Sequence, residues 1–129
     1  MAFAPALPDA VHDLPLPDFA ALAQQANLDG LSPEVLARFR RRAVPEPAPV
    51  LRGVAQLAND ARDDVPTTLV CCSLPGAQVW ELVHAGHPMF AEVARLTRVE
   101  TVDLPTGHWP MWSRPRDLAE AILRAARTT

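Results

Sequence analysis

Residues Thr67 to Gly76 read TTLVCCSLPG, and this stretch decides the predicted fold. Its first six residues are β-branched or apolar and carry no charge. Such a run is typical of a strand buried on both faces in a parallel sheet. Pro66 precedes the run and Pro75 closes it, so both ends carry chain-breaking residues. The run therefore predicts a strand from Thr67 to Cys72 in an α/β sheet.

The sequence after this strand alternates between helix and strand patterns. A helical pattern at residues 79–83 continues through HPMFAEVARL (87–96). RVETVDL (98–104) predicts a second short strand, and RPRDLAEAILRAAR (114–127) predicts a final helix. This order indicates a βαβα unit with two parallel strands and a right-handed crossover.

The first half of the chain is helical but interrupted by prolines. DFAALAQQANLDG (18–30) and SPEVLARFRRRA (32–43) are predicted helices with polar caps at their starts. A weaker helical pattern runs over residues 50–63. The sequence thus predicts a Pro-interrupted helical segment, residues 1–64, followed by the βαβα part, residues 65–129.

The composition is that of a globular chain, with 49% hydrophobic and 21% charged residues. A net charge of −3 gives no support for a nucleic-acid partner. The sequence has no run of 18 apolar residues that would span a membrane, and its start lacks the pattern of a signal peptide. The two cysteines are adjacent and cannot easily bridge each other, so we expect reduced thiols and a cytoplasmic location.

The stretch DLPTGHWPMWSRP (103–115) concentrates the candidate functional residues. His108 is the candidate general base, because the imidazole of histidine ordinarily titrates near neutral pH. Trp109, Met111 and Trp112 are candidates for the wall of a substrate pocket beside it. Packing of the final helix onto the sheet is an equally good interpretation of the tryptophans.

VPTTLVCCS (65–73) and VETVDLPTGHWPMWSRPRDLAEAILRAA (99–126) together resemble the last two strands and the final helix of an α/β-hydrolase. More narrowly, they resemble the small bacterial esterase-like hydrolases related to plant methylesterases and hydroxynitrile lyases. In that family a Gly-His step follows the last strand, and Ser-x-Pro leads the next helix. Gly107 and His108 match the first motif, and the segment from Ser113 to Pro115 matches the second.

The resemblance implies a partial α/β-hydrolase fold, in which residues 1–64 correspond to the helical lid. It implies a Ser-His-acid mechanism on an ester or similar carbonyl substrate, with His108 as the base and with no metal or organic cofactor. The implied pocket wall consists of apolar residues of the histidine loop and of the lid: Trp109, Met111, Trp112, Phe19 and Leu22.

The family's nucleophile is a serine in a G-x-S-x-G turn, and this chain has none. Its three serines, Ser32, Ser73 and Ser113, are not flanked by the required glycines. The family's usual carboxylate position after the first predicted strand is also empty of acids, which leaves Glu81 and Asp103 as the nearest candidates. We therefore expect a base without a nucleophile, and negligible hydrolysis by the chain alone.

Two alternatives remain open at this point. Two parallel strands leave open sheet edges, so the chain could be a non-catalytic module that pairs its edge with a second copy or with a separate N-terminal polypeptide. The sequence could instead be a fragment with a mis-called start, or a degraded remnant. The DNA upstream of the Met1 codon would separate these cases.

Two further motifs have simpler interpretations. His84 and His87 are three residues apart in HAGH, but no further ligands follow at metal-like spacing. We expect a helix end there, with Gly86 as the C′ residue. The arginines of RFRRR (38–42) are expected on a solvated helix face, because the chain is acidic overall.

Overall fold

The computed structural model describes residues 7–128 and divides them into two compact units. The first unit comprises residues 7–25 and 32–58, and the second comprises residues 26–31 and 59–128. The short segment 26–31 therefore belongs to the second unit, although the residues on both sides of it belong to the first.

The elements of the first unit are short. They are strands β1 (Asp13–Leu14) and β2 (Glu46–Pro47), and helices α1 (Phe19–Ala23), α2 (Pro33–Arg42) and α3 (Ala48–Arg52). The two strands pair in antiparallel fashion. Leu22 and Ala48 are the buried apolar residues of this unit.

The second unit contains the parallel sheet. Its elements are a 3₁₀ turn (Asp60–Asp64), β3 (Thr67–Cys71), α4 (Gly76–His84), two further 3₁₀ turns (Pro88–Phe90 and Val93–Arg95), β4 (Val99–Asp103), α5 (Pro110–Ser113) and α6 (Pro115–Thr128). β3 and β4 are parallel, with Leu69 opposite Thr101. The chain is thus a mixed α/β protein, and both predicted strands and their parallel pairing are confirmed. The predicted burial of β3 is wrong except at Cys71, because the other residues of the strand are half-buried.

Helix α2 follows its sequence signals closely. The Ser32 hydroxyl accepts a hydrogen bond from Val35 N at 3.3 Å, and Pro33 occupies the first helical position. The Ser32 hydroxyl also donates to the Glu34 carboxylate at 2.7 Å, which lowers the pKa of Glu34. The predicted helix over 32–43 is confirmed as Pro33–Arg42.

The predicted helix over 18–30 is wrong beyond Ala23, where α1 ends. Asn27 explains part of the difference, because its side-chain oxygen accepts from Asp29 N at 2.7 Å. This local bond offers the backbone an alternative to the helix. Gly30 then adopts a φ of 82°, a left-handed conformation that glycine takes at low cost.

The predicted helix over 50–63 is also wrong. α3 ends at Arg52, and the next helical residues form the 3₁₀ turn Asp60–Asp64. Glycine at position 53 lowers helix propensity, and Val54 and Leu57 stay 54% and 59% exposed, so no packed face stabilises a longer helix.

Helices cover both faces of the β3–β4 pair. Gly76 starts α4 against Thr101 and Asp103, so close that a Cβ on Gly76 would lie 3.1 Å from the Thr101 side chain. On the opposite face, α6 residues line a small cleft with Thr68 and Val70. The buried apolar residues of this unit are Cys71, Val79, Leu104 and Ala121.

Helix α4 ends at His84, and Gly86 follows as the predicted C′ residue with a φ of 68°. The continuation of a helical pattern through 87–96 is wrong, because these residues form the two separate 3₁₀ turns. The Nδ1 atom of His87 accepts from Met89 N at 3.2 Å and so caps the first of them. Pro88 cannot donate a backbone hydrogen bond, so α4 cannot continue through it.

Ion pairs connect the 3₁₀ turns that flank the strands. Arg95 contacts the carboxylates of Asp60 and Asp63, each at 2.8 Å, and Arg62 contacts Glu92 at 2.8 Å. These pairs raise the pKa of Arg95, mainly through its hydrogen bond to Asp63. Over residues 7–128, none of the helices is both long enough and apolar enough to cross a membrane.

Candidate functional site

His108 lies on the loop that joins the carboxyl end of β4 to α5. Its side chain is exposed, and its ring meets the ring of Trp109 edge-on, with 4.9 Å between centroids. Within residues 7–128, no group makes a hydrogen bond to the imidazole. The carboxyl ends of parallel strands are where ligands usually bind in open α/β sheets, so His108 stands at a suitable edge for chemistry.

Segment 26–31 fixes the backbone of the histidine loop. His108 N donates to Asn27 O at 2.7 Å, and Gly107 N donates to Asp29 O at 3.2 Å. A Cβ on Gly107 would lie 2.6 Å from Asn27 O, so glycine is required there by the close approach of two backbones. This contact gives a physical reason for the Gly-His step, and sequence patterns do not show it.

The other end of the loop is closed by hydroxyl groups. Ser113 Oγ and Thr106 Oγ1 lie 2.6 Å apart and share a hydrogen bond, and Ser113 Oγ also donates to Trp109 O at 3.2 Å. Ser113 therefore holds the loop in shape. Its hydroxyl is committed to these partners rather than directed at a substrate.

A cleft of about 430 Å³ lies beside His108 on the α4 face of the sheet. Its lining is apolar apart from a few groups, and it consists of residues 69–74, Val79, Phe90, Val93, His108, Pro110 and Met111. Of the three predicted pocket residues, Met111 lines this cleft with His108. Trp109 and Trp112 do not line it, and both are half-buried.

The lid residues expected in the pocket wall belong to the first unit. Phe19 packs against Phe39 there, with 6.0 Å between ring centroids, and the Arg40 guanidinium lies 4.6 Å from the centre of the Phe19 ring. Arg40 also donates to Leu16 O and Pro17 O. Arg40 of the RFRRR cluster therefore makes structural contacts within the first unit.

The candidate acids do not contact His108. Asp103 points to the start of α4, where its Oδ1 atom accepts from Gly76 N at 2.7 Å. Glu81 is exposed on α4 and lies outside the lining of the His108 cleft. In the part of the chain that the structure describes, His108 therefore has no carboxylate to orient its ring.

Cys72 and Ser73 are the residues that sequence reasoning did not place in the site. Both follow β3 at its carboxyl end, and both line the His108 cleft. They also line a second cleft of about 440 Å³ with Asp29, Thr106 and others. The signal was available, because β3 and β4 are parallel and their carboxyl ends lie at one edge.

The thiols are poor nucleophiles in this setting. Both cysteines are free, Cys71 is buried and Cys72 is half-buried. Burial raises the pKa of both thiols above the ordinary value of 9.0, and for Cys71 the Asp103 carboxylate raises it further. Both sulfurs are therefore protonated at neutral pH, and the thiolate is the reactive form.

The histidines of HAGH have structural neighbours. His84 lies against Trp80, with 6.2 Å between ring centroids, and His87 caps a 3₁₀ turn. Among residues 7–128, no three histidine, cysteine, aspartate or glutamate side chains come together in a way that could hold a metal ion.

Comparison with known proteins gives no assignment. No family model matches this chain, and no curated protein or solved structure matches it either. The resemblance to α/β-hydrolases stays a prediction.

Proposed function

We propose that this chain carries the general base of an α/β-hydrolase-type site, in a partial α/β-hydrolase fold, and that His108 is that base. The observation that carries the proposal is the exposed imidazole on the rim of an apolar cleft at the carboxyl end of β4. The substrate class is an ester or a similar carbonyl compound, whose apolar group would occupy the cleft beside Met111.

The proposed role of His108 is proton transfer. Its imidazole would take the proton from a hydroxyl nucleophile as that oxygen attacks the carbonyl carbon, and it would return the proton to the leaving group. The bonds from segment 26–31 hold the His108 backbone in place, and contact with Trp109 restricts the ring. A restricted imidazole loses less conformational entropy when it takes up the orientation needed for proton transfer.

The nucleophile is proposed to come from polypeptide outside these 129 residues. Ser32 caps α2 and Ser113 closes the histidine loop, while Ser73 lacks the glycine-flanked turn that exposes a hydrolase nucleophile. The chain alone is expected to show negligible triad-type hydrolysis. A cytoplasmic location belongs to the same proposal, because both thiols are free.

An arylalkyl ketone such as 4-phenyl-2-butanone tests the cleft, because it has the shape of the ester benzyl acetate and cannot be hydrolysed. In an NMR titration we expect shifts of the His108 ring protons and of the Met111 methyl group. The controls are His84, an exposed histidine elsewhere, and Met89, which is 77% exposed and lies outside the cleft lining. Equal shifts at all four side chains, or none at His108, would contradict the proposal.

Turnover is tested separately with a panel of aryl and short-chain esters. The expected rate is close to that of free imidazole at the same concentration, without saturation. Saturable turnover by the chain alone that disappears in His108→Ala and persists in His84→Ala would show that the nucleophile lies within the chain. That result would support His108 as the base and would contradict the proposal that the nucleophile lies outside the chain.

A further inference from the structure

We propose that two copies of this chain associate through the outer edge of β3 and form one continuous four-stranded sheet about a two-fold axis. The inference goes beyond the hydrolase proposal and does not depend on it. It uses the outward peptide groups of β3, whereas the proposed chemistry uses the side chain of His108. The cleft on the α4 face borders both.

The hydrogen-bond pattern shows which peptide groups of β3 face outward. Thr67 N donates to Arg98 O at 2.9 Å, and Leu104 N donates to Cys71 O at 2.8 Å. In a parallel ladder alternate residues bond the same neighbour, so the peptide groups of Thr68, Val70 and Cys72 face away from β4.

These outward groups lack strong partners among the residues that the structure describes. The Cys72 thiol lies 3.8 Å from Val70 O, which makes it at best a weak donor to that carbonyl. Unpaired peptide groups on a strand edge are a template for pairing with another strand. The outward N–H and C=O groups of Thr68, Val70 and Cys72 are therefore available to pair with another strand.

The edge also lacks the usual protection. Residues 67–74 contain no charged side chain and no proline, whereas natural edge strands are commonly blocked by one or the other. The strand is flanked by proline on each side, at Pro66 and Pro75, so the unprotected run is confined to β3 and the residues that follow it directly.

An apolar cleft lies on each face of the sheet beside this edge, and Val70 lines both. The cleft on the α4 face is about 430 Å³, and the cleft on the α6 face is about 320 Å³. No arginine, aspartate or glutamate lines either cleft. Met111 in the first and Ile122 in the second stay 53% and 56% exposed, which leaves apolar surface on both sides of the open edge.

A second copy is the occupant that this edge fits. The outward groups are spaced symmetrically about Val70, so an antiparallel two-fold pair sets Val70 opposite Val70 of the partner subunit. It also sets Thr68 opposite Cys72 of the partner subunit, and the reverse. This register uses all outward groups in about six hydrogen bonds. Because no arginine, aspartate or glutamate lines either cleft, none of these charged side chains meets its own copy across the two-fold axis, as a self-complementary interface requires.

Mass measurement gives the first test. One chain has a mass of 14.0 kDa, so light scattering should report about 28 kDa for the protein at micromolar concentrations and above. Thr68→Pro should lower the mass to that of one chain. Its amide faces away from β4, so this proline removes inter-chain bonds but no β3–β4 bond. Thr68→Val should remain a dimer, and circular dichroism checks that each variant is folded.

A cross-link tests the register. In Thr68→Cys, the new thiol would face Cys72 of the partner subunit with the Cα atoms roughly 5.5 Å apart, which is within disulfide range. Mild oxidation should give a covalent dimer. The matched control is Thr67→Cys, whose side chain projects from the other face of β3, opposite Ser73 of the partner subunit; it should cross-link far less.

Three results would overturn the inference. They are a single-chain mass for the wild type at all concentrations, equal cross-linking of Thr67→Cys and Thr68→Cys, and a larger species that Thr68→Pro leaves intact. His108→Ala should keep the dimer mass. Loss of the dimer would thus be distinguishable from failure of the hydrolase proposal, which is read out at His108.

Discussion

Gly107→Ala is expected to destabilise the second unit and to release the histidine loop from segment 26–31. Gly107 does not have a positive φ, so alanine is allowed by its backbone conformation. The objection is steric. The new Cβ would lie 2.6 Å from Asn27 O and 2.7 Å from Asp29 O, where ordinary contact begins at 3.4 Å. Both obstacles are backbone atoms, so no side-chain rotation relieves the overlap.

The loss in free energy of unfolding can be estimated from the contacts that the new Cβ disturbs. Separating the two segments by about 0.8 Å weakens the Gly107–Asp29 and His108–Asn27 bonds, worth about 1 kcal/mol each. Alanine also stiffens the unfolded chain, which returns about 0.4–1 kcal/mol. Backbone shifts forced by overpacking add about 1–3 kcal/mol of destabilisation. Together these terms give an expected net loss of about 2–4 kcal/mol.

Urea unfolding and amide hydrogen exchange measure this loss. The midpoint should fall, and exchange of the His108 amide should accelerate, because its bond to Asn27 O is weakened. Gly86→Ala is the control in the same unit. A Cβ on Gly86 meets nothing within 4 Å, so only its left-handed φ of 68° is penalised. The steric reasoning is refuted if Gly107→Ala unfolds at the wild-type midpoint with His108 exchange unchanged.

Two further predictions concern the sheet. Asp103→Ala should cost about 1–2 kcal/mol in urea unfolding, because it removes the acceptor for Gly76 N at the start of α4. Asp103→Asn should cost less, and equal losses would argue against the cap. The second concerns pH. The folded-state pKa of Cys71 is raised, mainly by burial, so its contribution to stability is complete below the ordinary value of 9.0 and is lost as pH rises through the folded value. The chain has no lysine and no tyrosine, so the cysteines are the only side chains whose ordinary pKa lies in this alkaline range, and urea unfolding between neutral and alkaline pH measures the decline. Cys71→Ala should flatten the decline, and an unchanged decline would contradict the assignment.

Local sequence signals predicted elements whose stabilising groups are themselves local. Helix α2 begins at Pro33 because Ser32 supplies the cap, and α4 ends at His84 because Gly86 adopts the left-handed conformation that closes the helix. β3 was predicted from an uncharged β-branched run, and its pairing with β4 followed from the crossover rule. The exposed position of His108 between β4 and α5 fits the same pattern.

The failures occurred where a distant partner or the lack of a packing surface decided the structure. Helical periodicity at 18–30 and at 50–63 was real, but periodicity stabilises a helix only if its apolar face is buried. Val54 and Leu57 stay exposed, and the Asn27 side-chain oxygen accepts a hydrogen bond from Asp29 N within the same turn. No local pattern reports these outcomes.

The sequence by itself thus determined the parallel strands, the loop that presents His108 and the lack of a glycine-flanked serine. Only the tertiary structure decided that Asp103 caps α4, that Ser113 closes the loop and that segment 26–31 packs on Gly107. It also showed which peptide groups of β3 lie on the open edge of the sheet. The physical reason is that strand and turn signals lie within a few residues of the groups they affect. The partner of a loop lies up to 81 residues away along this chain, as Asn27 does from His108, and only folding brings the two together.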